Sequence, residues 1–300
     1  LECFEDRGHH TRSPLELVIW NNEEGVRFPP VTMGSSVFAG RFPLAEVLKY
    51  QDASGVTVAQ ALTASRASLG IADAPLGELF SAYVEAHIEQ GPVLESKHRQ
   101  IGIVTGIQGV RQMVITLTGE AAHAGTTPMA IRRDALVDAM ALYSRLREIA
   151  RTDDPMVRFT VGRMTVLPGA PNTIPAEASF TVDLRHPEPQ VLQDRGDEIV
   201  AAAVEARATV REMINNPPVQ FDPLVIEAIR RATNELEIVG EPILSGATHD
   251  AANVARQGPA GMIFVPSRAG VSHSPRESTS AEDLIRGANV LASTLEALCG

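Results

Sequence analysis

Three hundred residues carry a formal net charge of -11, with 44% apolar and 21% charged side chains, a balance that suits one large or two modest globular domains with a sizeable core. The acidic excess argues against nucleic acid and against an anionic membrane surface as partners, because no basic surplus is present to neutralise phosphate. No apolar run approaches a membrane span, the first residues do not read as a signal peptide, and two cysteines, Cys3 and Cys299, make no disulfide framework, so a reducing cytoplasm is the expected setting.

In chain order, Leu1, Cys3 and Phe4 among charges read as the end of a helix. Residues 15–20 read as a buried strand running into Asn21, Asn22, Glu23, Glu24 and Gly25. In open α/β sheets, ligand sites form where strands end at their carboxyl edge, so Glu23 and Glu24 stand where chemistry is placed. Adjacent carboxylates repel; a metal ion would satisfy one and leave the other free as a base. A solvated acidic turn is the alternative that this stretch alone leaves open. Residues 29–41 read as a loop carrying Pro29, Pro30, Gly34, Ser35, Ser36 and Gly40. Helices are expected at 44–51 and 58–69, the second stopped by Gly70. Over 82–89, Ala82, Val84, Ala86 and Ile88 alternate with Tyr83, Glu85, His87 and Glu89, a strand of period two ended by Gln90-Gly91-Pro92.

From Arg111 the pattern changes. Residues 112–118 read as a strand, 130–151 as a helix, 157–167 and 177–185 as strands, 188–208 as a helix weakened by Gly196, and 209–214 as a strand. That β-α-β-β-α-β order is the one of a ferredoxin-like split βαβ domain, and Asn215-Asn216-Pro217-Pro218 marks its end. A helix at 223–236, a short buried strand at 261–265 and a closing helix at 279–298 follow. Thr279 and Glu282 would form a capping box, with Leu284, Ala288, Leu291, Leu295 and Leu298 on one face. The expected class is α/β: a discontinuous domain, 1–106 plus 216–300, interrupted by an inserted domain, 107–215.

Histidines within reach of acids are the chemical signal. His87 lies between Glu85 and Glu89, His123 follows an inserted-domain strand, His249 precedes Asp250, and His273 sits in Ser272-His273-Ser274-Pro275-Arg276-Glu277. Each alone is more often a hydrogen-bonded structural histidine than a ligand. His9, His10, His98 and His186 read as exposed loop residues. Cys/His zinc spacings, a His-Glu-x-x-His helix, a Gly-x-Ser-x-Gly elbow and a Gly-rich phosphate loop are all absent from the sequence. A metal site would therefore be assembled from distant segments.

Five motifs occur in order: Asn22-Glu23-Glu24-Gly25-Val26-Arg27-Phe28, His87-Ile88-Glu89-Gln90-Gly91-Pro92, His123-Ala124-Gly125-Thr126-Thr127-Pro128-Met129, Gly169-Ala170-Pro171-Asn172-Thr173-Ile174-Pro175 and the His273 segment. So arranged, the chain resembles the dinuclear-metal amidohydrolases of the N-carbamoyl-L-amino acid hydrolase and allantoate amidohydrolase family, relatives of aminoacylases and dimetal exopeptidases, over essentially its whole length. The resemblance implies a metallohydrolase catalytic domain, a mixed sheet with flanking helices, and an inserted ferredoxin-like lid that also dimerises. It makes Glu23 the general base, places Glu24 and His273 on one divalent ion and His87 on another (Zn, Mn, Co or Ni), and gives His123 the developing oxyanion. Asn172 and Arg185 would hold the carboxylate of a small substrate, with Gln90 lining the pocket. The lid histidine and asparagine would serve a neighbouring subunit, so the resemblance implies a homodimer. An N-carbamoyl amino acid is the favoured substrate, with allantoate or a β-ureido acid as alternatives. From another class, a dimerising or ligand-binding remnant without catalysis is the competing reading.

The family takes further metal ligands from a His-x-Asp motif and a bridging aspartate well before its Glu-Glu pair, whereas only 22 residues precede Glu23 here. His10 is not followed by x-Asp. A missing N-terminal portion of roughly 100 residues, about half a domain, is therefore expected. These 300 residues alone are predicted to bind Zn or Mn weakly and not to release ammonia from substrate; calorimetric titration and a single-turnover assay check both.

Overall fold

The alternation over 82–89 becomes the strand Tyr83–Ile88, and its parallel partner is the strand Ala260–Val265, in register from Tyr83 opposite Ala260 to Ile88 opposite Val265. The computed structural model describes residues 2–6, 8, 10–70, 79–151 and 153–300; His9 and the side chain of Cys3 lie outside this description. The chain divides into two units, Leu1–Ile107 with Gln220–Gly300, and Gln108–Val219. Both contain mixed helix and strand, and among the described residues no helix is long and apolar enough to cross a membrane.

In the first unit, Ala260–Val265 also pairs antiparallel with Ile101–Ile107, which pairs parallel with Gly240–Ser245. The sheet is thus mixed. Every residue of Ala260–Val265 is buried, as expected for an uninterrupted apolar run covered on both faces. Helices Pro223–Glu235 and Ala281–Cys299 supply Val225, Ile229, Ala232 and Val290 to a core with Ile101, Ile103, Ile263 and Val265. Burying one such Ile fully is worth about 1.5–3 kcal/mol.

Two of these strands escape a reading by period. Ile101–Ile107 carries two glycines, and Gly102 is there because a Cβ would stand 2.9 Å from the side chains of Ile243 and Phe264. Gly240–Ser245 contains Pro242, which is tolerated because, among the described residues, the strand pairs with Ile101–Ile107 alone and needs no donor on its outer side.

Residues 15–20 do not form the expected buried strand. They pair with no sheet among the described residues, and Leu17, Val18 and Ile19 are 78%, 44% and 87% exposed. An apolar run is a strand only where a neighbour takes its backbone groups. The expected loop 29–41 instead contains a helix, Met33–Phe38, and the helix expected at 44–51 is one turn, Leu44–Val47. Val58–Leu69 forms as read, with a Thr57–Gln60 capping box and Gly70 left-handed at its end. The closing helix is capped by Ser280, whose hydroxyl accepts from Asp283 N, while Thr279 Oγ1 donates to Pro266 O at 3.0 Å. Its buried stripe is Gly287, Val290 and Thr294, with Leu291 and Leu298 against the core and Leu284 exposed. The face is rotated from the leucine stripe because Gly287 lets the helix approach Val265, whose Cγ1 would lie 2.5 Å from an added Cβ.

In the second unit, Gly109–Thr118 lies between Glu177–His186 and Thr209–Asn216, antiparallel to both. The stretch 157–167 splits into Arg158–Thr160 and Met164–Leu167, each pairing with Glu177–His186. Helices Ala135–Ala150 and Pro189–Glu205 cover one face. Leu142, Leu146, Leu192 and Ile199 pack with Met113, Ile115, Phe180 and Val182 in one cluster. The expected helix 130–151 begins only at Ala135, where Asp134 accepts from the N–H groups of Leu136 and Val137. His186 is not an exposed loop residue. It is 2% exposed at the end of its strand, with Nε2 2.9 Å from Asp154 Oδ2 and Nδ1 accepting from Glu188 N.

Gly196 weakens helix propensity for a reason in the packing. Arg111, 4% exposed, donates Nε to Glu212 at 2.7 Å and Nη1 to Asp197 at 2.8 Å and to Gln193 O at 3.1 Å. A Cβ at position 196 would lie 2.3 Å from that Nη1, and the pinned guanidinium cannot swing away. Gly196→Ala is therefore expected to destabilise by about 1–3 kcal/mol despite alanine's better helix propensity; urea unfolding of the variant measures it.

Candidate functional site

The Asn21–Gly25 loop owes its shape to two left-handed residues, Asn22 (φ 54°) and Gly25 (φ 65°). A Cβ on Gly25 would stand 2.8 Å from Val31 N, so only glycine fits there. The carbonyls of Asn21, Asn22 and Glu23 accept from Gly34, Met33 and Thr32 N–H at 3.0, 3.4 and 2.7 Å. These are the leading donors of helix Met33–Phe38, which have no partner within the helix. The Asn22 side chain closes the loop by donating to Phe28 O at 2.6 Å.

This geometry turns the two glutamates apart. Glu24 faces outward, its Oε2 3.8 Å from His273 Nε2, with both side chains exposed. Glu23 is half-buried. Burial raises its pKa, the charges of Glu24 and Asp250 raise it further, and His87 and His273 pull it back. Glu23, Glu24, His87 and His273 thus come together in the first unit.

His87 stands near the end of its strand with Nδ1 2.8 Å from Ile88 O. A carbonyl only accepts, so Nδ1 carries a proton, and in the neutral ring the lone pair is on Nε2. Gln90 holds the His273 loop. Its N–H donates to Ser267 Oγ at 3.0 Å and its Nε2 to Ser272 Oγ at 3.1 Å, and Ser272 in turn donates to Glu277. Glu277 also accepts from His273 N at 3.1 Å, and these bonds hold its carboxyl below the ordinary value.

One carboxylate and two imidazoles are donors suited to several divalent ions. Among the described residues, however, no group of three or more His, Cys, Asp or Glu is arranged to hold an ion. Glu24, His273 and His87 therefore fit as contributors to a metal site and do not enclose one by themselves.

Beneath them lies a buried layer to which the sequence reading gave no role. Glu85 Oε2 accepts from Tyr83 OH at 2.8 Å and Ala251 N at 3.0 Å, and its Oε1 lies 3.9 Å from His249 Nδ1. His249 is 1% exposed, packs edge-on against His87 with ring centroids 4.5 Å apart, and meets Ser245 Oγ at 2.9 Å. Burial drives its pKa down to about 3, so it is neutral. Trp20 Nε1 donates to Tyr83 OH at 3.0 Å. The visible signals were the Tyr83, Glu85, His87 face and the His249-Asp250 pair.

In the second unit, Ala122–His123 pairs with Thr173–Ile174, and Ala124 N donates to Asn172 O at 2.9 Å, which sets His123 and Asn172 side by side on exposed loops. His123 Nδ1 accepts from Gly125 N at 3.0 Å and Thr126 N at 3.2 Å, so the proton of the neutral ring is on Nε2, pointing a donor outward. The Arg185 guanidinium is engaged by Asp183 of its own strand, at 2.8 Å and 3.1 Å through two nitrogens.

Asp250, 4% exposed, meets the Ser35 hydroxyl, and burial raises its pKa from 3.8 to about 6. A carboxyl raised on folding stabilises fully below its unfolded value, and that contribution is lost as pH climbs through the folded one. Asp250→Asn should therefore flatten the fall in stability between about pH 4 and pH 6, read by urea unfolding across that window. The contribution of Glu85, raised chiefly by burial, has the same sign and persists in both proteins.

Peptidase family M20/M25/M40 matches the chain over residues 1–297. The N-carbamoyl-L-amino-acid amidohydrolase of Paenarthrobacter aurescens is 38% identical over 301 residues, covering 98% of this chain and 73% of its own length. The allantoate amidohydrolase of Bacillus subtilis (strain 168) is 37% identical over 292 residues, covering 95% and 70%. Among solved structures, an amidase of the hydantoinase/carbamoylase family from Burkholderia multivorans superposes with a TM-score of 0.88 at 39% identity, over 99% of this chain and 73% of that one. On the family match over residues 1–297 and relatives of 37–38% identity, the chain belongs to Peptidase family M20/M25/M40.

Proposed function

We propose that this chain is an amidohydrolase that cleaves a linear, non-peptide C–N bond of ureido type, with Glu23 as its proton carrier. The observation that carries the reading is the half-buried Glu23, its pKa raised, set among Glu24, His87 and His273. Relatives named for N-carbamoyl-L-amino acids and for allantoate support the substrate class. The narrower proposal is an N-carbamoyl amino acid, a small molecule bearing a carboxylate.

Enzymes of this family are in general metal-dependent. Glu24 with His273 would hold one divalent ion and His87 another, with Zn, Mn, Co or Ni as candidates; when bound, such ions acidify water and polarise the scissile carbonyl. The remaining work falls to the protein. Glu23 takes the proton from the attacking water and delivers it to the leaving nitrogen, and a carboxyl of raised pKa is the better donor in that second half. The outward Nε2–H of His123 stabilises the developing oxyanion, a contribution typically of about 2.7–4 kcal/mol. Asn172 and Arg185 hold the substrate carboxylate. Asp183 sets the orientation of the guanidinium fork, a shape that matches a carboxylate as lysine does not. Gln90, fixed to Ser272, lines the pocket. The domain 107–215 serves as a ferredoxin-like lid and dimerisation domain, and in the dimer His123 and Asn172 serve the neighbouring subunit's site.

The test is ammonia release from N-carbamoyl-methionine, allantoate and 3-ureidopropionate by the protein expressed from its complete reading frame, loaded in turn with Mn, Co, Ni and Zn. Glu23→Gln should lower kcat by about 10²–10⁴-fold with metal content unchanged, and Glu24→Ala should lower metal content itself. A Glu23→Gln enzyme that keeps a tenth or more of its kcat overturns the assignment.

A further inference from the structure

The Glu23 loop is shaped by helix Met33–Phe38, yet six residues are too few for a helix to persist alone. What fixes the helix is Asn253, 1% exposed and 217–221 residues away in sequence from the groups it binds. Its Nδ2 lies 3.2 Å from Thr32 Oγ1, 2.8 Å from Ser35 Oγ and 3.1 Å from Ser36 Oγ. Those three residues are 2%, 0% and 1% exposed. Its Oδ1 accepts from Arg41 Nη1 at 2.9 Å. Asp250, one turn earlier, meets the same Ser35 hydroxyl, and Gln257 Nε2 donates to Ala39 O at 2.8 Å where the helix ends. The helix is thus held at both ends by the segment 250–257, with one amide at the centre of three buried hydroxyls.

We propose that Asn253 is a positioning residue for Glu23. Its amide locks helix Met33–Phe38 where Thr32, Met33 and Gly34 N–H can hold the carbonyls of Asn21, Asn22 and Glu23. Asparagine suits the place because it offers two N–H donors to the hydroxyls and an acceptor to Arg41. Alanine would leave buried hydroxyls without their donor, and the loop would lose its seat although no group near the reaction had been touched. The catalytic consequence rests on the reading of Glu23 as the proton carrier; the mechanical part does not.

The chain carries its own reporter. Trp20 is its single tryptophan, one residue before the loop, with its ring 5.4 Å from Phe38 of the helix and 6.4 Å from Tyr83. In Asn253→Ala, the Trp20 emission should move to the red, and the Thr32 and Gly34 amides should exchange at least about tenfold faster. Ser36→Ala, which removes one of the three hydroxyls, should show a smaller change of the same direction and serves if the first variant does not fold. Ile229→Ala, in the core of Pro223–Glu235, should lower stability without either change. In the ammonia assay, Asn253→Ala should lower kcat about tenfold or more while KM stays within about twofold. Unchanged emission and exchange in both Asn253→Ala and Ser36→Ala, or the same changes in Ile229→Ala, overturn the proposal, as does a loosened loop with kcat intact in an enzyme that needs Glu23. If the loop loosens but Glu23→Gln proves neutral, the anchoring stands and the base assignment falls.

Discussion

Two carboxylates on consecutive residues must be kept from behaving alike. Like charges about 6 Å apart at an effective dielectric of about 20 repel by about 3 kcal/mol before solvent screens them. The chain resolves this with backbone geometry. Left-handed turns at Asn22 and Gly25 split the pair, sending Glu24 outward toward His273 and Glu23 inward to where burial holds its pKa up. The division of labour proposed for them, one ligand and one base, rests on that split, and the split follows from which N–H groups take the loop's carbonyls.

The polar layer under the loop extends the same logic inward. Along Tyr83–Ile88 one face presents Tyr83, Glu85 and His87, the first two tied to Trp20 and to Ala251 N, the third near the loop. Behind them His249 stays neutral and packs on His87, and Asn253 gathers hydroxyls from a helix far away in sequence. A fully partnered polar interior of this kind is costly to disturb, because each lost partner leaves another group buried and unsatisfied. Among the described side chains, only Gln108 Oε1 is buried without a hydrogen-bond partner.

How much of this could be read beforehand depended on whether the cause was local. Val58–Leu69 was legible to its ends because its cap, Thr57 with Gln60, and its stop, Gly70, lie in the same stretch. Tyr83–Ile88 was legible from alternation. Residues 15–20 misled because apolarity does not itself provide a strand's neighbour, and Ile101–Ile107 and Gly240–Ser245 were missed because their glycine and proline are explained only by the strands beside them. His186 was misplaced because its partner, Asp154, lies 32 residues away in sequence, beyond the reach of any local pattern. At the candidate site, Glu23 and Glu24 were first noticed at the end of an expected strand that does not form and His87 on one that does, while the roles of all three and of His273 came from the ordered motifs. Ser35 and Ser36 were read only as loop residues, and Thr32 and Asn253 went unnamed, because a small buried amide and three hydroxyls leave no local signature.

The parallel pairing of Tyr83–Ile88 with Ala260–Val265 has a consequence for how this fold fails. Because both strands leave the sheet by the same edge, Gln90 and Ser267 meet there although 177 residues separate them. Side chains on a strand alternate between faces, so a slip of a single residue would carry Ala82, Val84 and Ile88 away from the core they pack against and bring Glu85 toward it. It would also turn His87 away from Glu23. The apolar face that holds the strand in the core is therefore also what aligns His87, so in this sheet cohesion and register are one constraint.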